Sequence, residues 1–141
     1  MAYSVTWKVF GDTDSFDVDD NLEALRQYLH KQHQWRLTAD GIVAQNRRPQ
    51  ASADVAEILF VLERLPAVFQ LTKGSTKNTI VEAHMALAAL HAWALKHDGQ
   101  CVDVSLGAFI AACMLCGIPF HRRRVDKATG GCVFSMRVRD Q

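Results

Sequence analysis

The side chains best suited to chemistry concentrate in the last third of the chain. Phe120-His121-Arg122-Arg123-Arg124 opens a basic segment that closes on Arg137-Val138-Arg139. Guanidinium groups match phosphate and carboxylate oxygens through paired hydrogen bonds. Read as a hairpin, strand alternation sets Ile118, Phe120, Cys132, Phe134, Met136 and Val138 on a core face. His121, Arg123, Ser135, Arg137 and Arg139 then share the outer face, with Arg122 and Arg124 toward the turn. Like charges opposed across a sheet repel by a few tenths to about 1 kcal/mol per pair. An anionic ligand would remove that penalty. Arg47 and Arg48, in the polar connection 46–50, are candidates to extend the same surface.

Cysteine and histidine offer weaker options. Cys113-Met114-Leu115-Cys116 has a zinc-ligand spacing that Cys101 and Cys132 could complete, with His97 or His121 in reserve. Its setting opposes this, because the pair lies in an apolar helix end, where cysteine is an ordinary small core residue. A redox pair works best at a helix N-terminus, the opposite end. His84 and His91 are seven residues apart, about 10 Å along a helix and too far to share an ion. The acidic stretch from Asp12 to Asp20 lacks the glycine and final glutamate of a calcium loop. Phosphate-binding glycine loops and nucleophile elbows are absent from the sequence. No metal, cofactor or enzymatic activity is therefore expected.

These residues need elements to hold them. Tyr3 to Phe10 alternates like a strand. A helix capped by Asp19 or Asp20 runs to about Gln32 on a Leu22, Leu25, Leu29 stripe. Trp35 to Ala39 and Ile42 to Gln45 form a hairpin around Asp40-Gly41. Ser52 starts a helix with Val55, Ile58, Leu59, Leu62 and Leu65 in register, and Pro66 is expected to stop or kink it. A short turn through Leu71 and a polar loop around Gly74 follow. Asn78 or Thr79 opens the longest helix, to about His97, apolar nearly all round and so expected at the centre of the core. Asp103 or Ser105 caps a last helix to about Cys116, which Gly117 ends. Ile118 to Val125 and Cys132 to Val138 make the closing hairpin.

The order is strand, helix, hairpin, three helices, hairpin. It predicts a single α+β domain over residues 1–141, with helices packed on antiparallel sheet and a winged-helix-like C-terminal part. The composition, 49% hydrophobic and 22% charged, is that of a globular chain. With no leader-like segment and no membrane-length apolar run, a cytoplasmic protein without a membrane partner is expected.

Ser105-Leu106-Gly107-Ala108-Phe109-Ile110-Ala111-Ala112, followed by Gly117-Ile118-Pro119-Phe120-His121-Arg122-Arg123, resembles small uncharacterised proteins of phages and mobile elements. Those share an alanine-rich helix, a glycine turn and a basic strand. The resemblance is confined to this stretch and implies an origin, not an activity.

Charge is divided between the ends. Residues 1–30 hold two basic and six acidic groups, and residues 118–141 hold six basic and two acidic. Two readings follow. The leading one is a non-enzymatic nucleic-acid binder, contacting backbone through His121, Arg122, Arg123, Arg124, Arg137 and Arg139, with Arg47 and Arg48. The helix 106–115 offers no donors for reading bases. The alternative is a protein-binding module, an inhibitor of a host factor or a homo-oligomeric adaptor, using apolar helices and opposed charged ends.

Overall fold

The structure, a computed structural model, describes residues 18–44, 52–72, 80–99 and 103–139. The Tyr3–Phe10 strand, most of the acidic stretch, Arg47, Arg48, the Gly74 loop and Cys101 lie outside the described residues.

Helix α1 spans Val18–His33 and buries Leu22, Leu25 and Leu29, the stripe its sequence carries. Asp19 and Asp20 sit within its first turn rather than capping it, where their charge complements the helix dipole. Strands β1 (Trp35–Thr38) and β2 (Gly41–Ala44) form an antiparallel hairpin. Its turn is Ala39-Asp40, one residue earlier than expected. Gly41 supplies the only positive φ there, +113°, so glycine follows the turn instead of lying inside it.

Helix α2 (Val55–Val68) is capped by Asp54, which accepts from the Ala56 N–H at 2.8 Å. Pro66 does not stop it. Leu65 and Val68 on either side are buried, and the Phe69 N–H closes the end on the Leu65 carbonyl, so packing holds the last turn. The chain continues as strand β3 (Phe69–Leu71) where a turn was expected.

Strand β4 (Val81–Glu82) precedes helix α3 (Ala83–Asp98), so the helix starts later than expected. Val81 pairs across to Phe134, and that tertiary contact overrides local helix propensity. Glu82 caps α3 through the His84 N–H, and Gly99 ends it at φ +68°. Helix α4 (Leu106–Leu115) is capped by Ser105, whose Oγ accepts from the Ala108 N–H. Two further acceptors fix its entrance: Glu57 takes the Ser105 N–H at 2.7 Å, and His91 Nε2 takes the Val104 N–H at 3.1 Å.

The C-terminal part departs most from expectation. Strand β5 (Phe120–His121) pairs with β6 (Val133–Phe134) over two residue pairs only. Between them lies a short helix, α5 (Asp126–Thr129). At Ser135 the chain leaves this pairing, and strand β7 (Met136–Val138) joins β3 instead. The Ser135 N–H donates to the Pro119 carbonyl, and its own carbonyl accepts from Thr72, so this residue stitches the two ladders. The strand orders are β1-β2, β3-β7 and β4-β6-β5, all antiparallel. The fold is α+β.

The core is built on α4, where every residue from Gly107 to Leu115 is buried. It packs against α1, α2, α3 and the β1–β2 hairpin. The expectation that α3 would be central is corrected: its Ala83, Ala86, Leu90 and Ala94 are buried, but Met85 and Leu95 face solvent. Gly107 makes the hairpin contact. Its N–H donates to the Ala39 carbonyl at 2.9 Å, and a Cβ there would overlap the Thr38 carbonyl. On the far side of the same turn, a Cβ on Gly41 would meet the Gly130 carbonyl, which accepts the Ile42 N–H at 2.7 Å. The turn is thus clasped between two backbones.

Candidate functional site: an aromatic and basic groove

The clasp sets the end of α1 and the first hairpin beside the β5–β6 connection. Two hollows open along that junction, about 520 and 600 Å³, and both are lined by His33, Trp35, Arg122 and Lys127. A smaller hollow of about 290 Å³ also borders Trp35 and carries Arg26, His30 and Arg36.

The groove is aromatic at its centre. His33, at the end of α1, stacks on Trp35 with centroids 4.1 Å apart and planes 13° from parallel. Phe120 meets His33 edge-on at 6.4 Å and lies 6.5 Å from Trp35. Tyr28 meets His33 edge-on at 5.9 Å. Gln34 makes this arrangement local. It takes φ +56°, ends the helix by donating its N–H to the His30 carbonyl, and turns the chain directly into β1.

Charge surrounds the rings. The Arg122 guanidinium lies 5.1 Å from the Trp35 ring centroid and donates to the carbonyls of Gly131 (3.2 Å) and Ile42 (2.6 Å). Partial burial lowers its pKa from the ordinary arginine value. Lys127 and His121 are exposed at the groove.

The expected basic ribbon is divided. Arg122 is a half-buried clamp between the two walls. Arg123 turns to Asp126, with Nε and Nη2 each 3.0 Å from a carboxylate oxygen, and this hydrogen bonding raises its pKa. Asp126 is 2% exposed. Burial works to raise its carboxyl, but the hydrogen bonds and charge of Arg123, with the charge of Arg122, outweigh burial and hold it below the usual range. Arg124 is exposed beside the turn. Arg137 stands on β7, in another sheet, and Arg139 follows directly after it; Arg137 donates to Gln70 at 3.1 Å and Arg139 to the Pro66 carbonyl at 2.8 Å. One outer face with His121, Arg123, Arg137 and Arg139 therefore does not form, because the strand changes partner at Ser135. On the core side Cys132, Phe134 and Met136 are buried as expected, whereas Val138 is 39% exposed.

Cys113, Cys116 and Cys132 are fully buried. Burial pushes the Cys116 thiol up to about 12 and raises Cys113 and Cys132 too, the reverse of what a metal-binding thiolate needs. Among the described residues no group of three or more His, Cys, Asp or Glu is placed to hold a metal ion. Nor is any described helix long and apolar enough to cross a membrane.

His33, Trp35, Phe120 and Lys127 were not among the binding residues expected from the sequence, which assigned Phe120 to a core face and Trp35 to a strand. Their signal was present only as adjacency: His33 and Trp35 flank a helix end, and Phe120 precedes His121-Arg122. The sequence does not show that 85 residues further on the chain returns to the same place. Compared with known proteins, the chain matches no family model, no curated protein and no solved structure.

Proposed function

We propose that the protein binds single-stranded nucleic acid in the His33–Trp35–Phe120 groove. The observation that carries this reading is the stacked His33–Trp35 pair, flanked by Phe120 and bordered by Arg122, Lys127 and His121. Aromatic faces stack bases regardless of sequence, while cations beside them hold the phosphate backbone. In this reading a base extends the stack at His33. Lys127, His121 and Arg124 meet phosphates, and Arg122 braces the platform.

The strand order β4-β6-β5 with α3 and α4 before β5 is compatible with a winged-helix reading of the C-terminal part. In that architecture a duplex is read by a helix in the major groove, but α4 is buried under α1 and the hairpin. Its burial favours unpaired strands over duplex DNA.

The test is fluorescence anisotropy of a labelled oligothymidylate against the full chain across a salt series. His33→Ala, at an exposed site, is expected to weaken binding by about 1–3 kcal/mol for the base that stacks there. Lys127→Ala, at an exposed site, is expected to reduce the slope of log K against log salt by roughly 0.7, one phosphate contact on a single strand. No binding at low salt, or a flat salt response, defeats the proposal.

A further inference from the structure

Trp35 borders all three hollows. It is the one residue that the smallest, of about 290 Å³, shares with either of the larger two, so its ring is the ridge between them. The small hollow lies between the second half of α1 and strand β1, with Ser52 at its border. Arg26 and His30 line it from α1, and Arg36 lines it from β1. Arg26 and His30 are four residues apart, about 6 Å along the helix, and so stand on one face of it.

The charge of this hollow is one-sided. Among the described residues that line it there is no carboxylate. Glu23, one turn before Arg26 on α1, accepts from Gln27 and is not part of the lining. The two larger hollows differ from each other in the same respect. The one of about 520 Å³ has Asp40 in its wall. The one of about 600 Å³ has His121, Arg122 and Lys127, and no carboxylate among its described lining residues. A polyanion that follows positive potential therefore keeps to the 600 Å³ hollow on one side of Trp35 and to the 290 Å³ hollow on the other.

We propose that the Arg26–His30–Arg36 hollow is a second phosphate-binding site, which holds the backbone of a single strand after it has crossed Trp35. This site presupposes strand binding at the aromatic groove and extends it. Cations on both sides of a stacked pair of rings match a strand that sets phosphates down before and after the bases it stacks. The donors suit the ligand. Arginine offers paired N–H groups to phosphate oxygens, and the His30 ring and the Ser52 hydroxyl add single donors. Contacts of this kind fix the path of a strand without reading its sequence.

The test is fluorescence anisotropy of labelled oligothymidylates, from roughly 4 to roughly 16 nucleotides long, bound to the full chain. Affinity should keep rising beyond the shortest strands, which the aromatic platform holds by itself. Arg26→Gln and His30→Glu should each weaken binding of the longest strand severalfold. Arg26→Gln should also lower the slope of log K against log salt for that strand by roughly 0.7, one phosphate contact. Both variants should bind the shortest strand much as the wild type does, which also shows that they fold. Strand binding in which both variants match the wild type at every length overturns the second site and leaves the aromatic groove standing. No binding at any length overturns both. Inorganic phosphate, added at constant ionic strength, should displace the longest strand no further than chloride does. Displacement down to the short-strand affinity, in the wild type but not in Arg26→Gln, would mark a site for free phosphate and overturn the strand assignment.

Discussion

Helices α3 and α4 are both apolar on nearly every side, yet α4 is covered around its whole circumference and α3 along one face only. The difference lies in what surrounds them. Helix α4 has α1, α2, α3 and the first hairpin around it, and Gly107 admits the hairpin turn to backbone contact. Helix α3 spends Ala83, Ala86, Leu90 and Ala94 on the core and ends beside solvent. An all-round apolar sequence therefore identifies a helix that needs cover without saying which one receives it inside the chain.

The contrast is broken most forcefully at Phe109, which is fully buried and meets Phe69 and Phe134 edge-on. Phe109→Ala is expected to cost about 3–5 kcal/mol in urea unfolding, enough to unfold a marginal domain. A loss below 1 kcal/mol would mean that α4 is not the centre of the core.

A smaller effect separates the cover of α4 from the packing of α3. The hairpin over α4 is held from outside by the α5 loop, which Asp126 fixes through Arg123. The folded Asp126 carboxyl lies below its ordinary value, so its contribution is complete above about pH 4 and is lost as pH falls through the folded value. Asp126→Asn is expected to remove roughly 2 kcal/mol at neutral pH and to flatten the acid limb of the stability profile. Parallel acid limbs in the two proteins would show that Asp126 does not secure the loop.

The smallest effect belongs to α3. Leu95→Ala should change the stability of dilute protein by less than about 0.5 kcal/mol. A cost as large as that at Phe109 would show that Leu95 is already covered.

Much of the fold was legible because it is local. The stripe of α1, the apolar register of α2 and Ser105 before α4 all signal through neighbours in sequence. What was not legible depends on distant contacts. Pro66 continues a helix because Leu65 and Val68 are buried. Val81 becomes strand because Phe134 lies across from it. The arginine ribbon divides because Ser135 sends β7 to β3. The groove was hidden for the same reason: its aromatic residues were visible one by one, but their meeting is a property of the tertiary fold.

The clasp around the Ala39-Asp40 turn also governs when the groove can exist. Its bonds join residues such as Ile42 and Arg122, 80 positions apart, and closing so long a loop costs entropy that local helices do not incur. The helices are free to form early, whereas the His33–Trp35–Phe120 platform has no counterpart in any state lacking this closure. During refolding, the contact of Phe120 and Arg122 with Trp35 should appear after the bulk of the helical signal. Completion of the groove is then a late kinetic event, reached only by chains that have made this long-range closure.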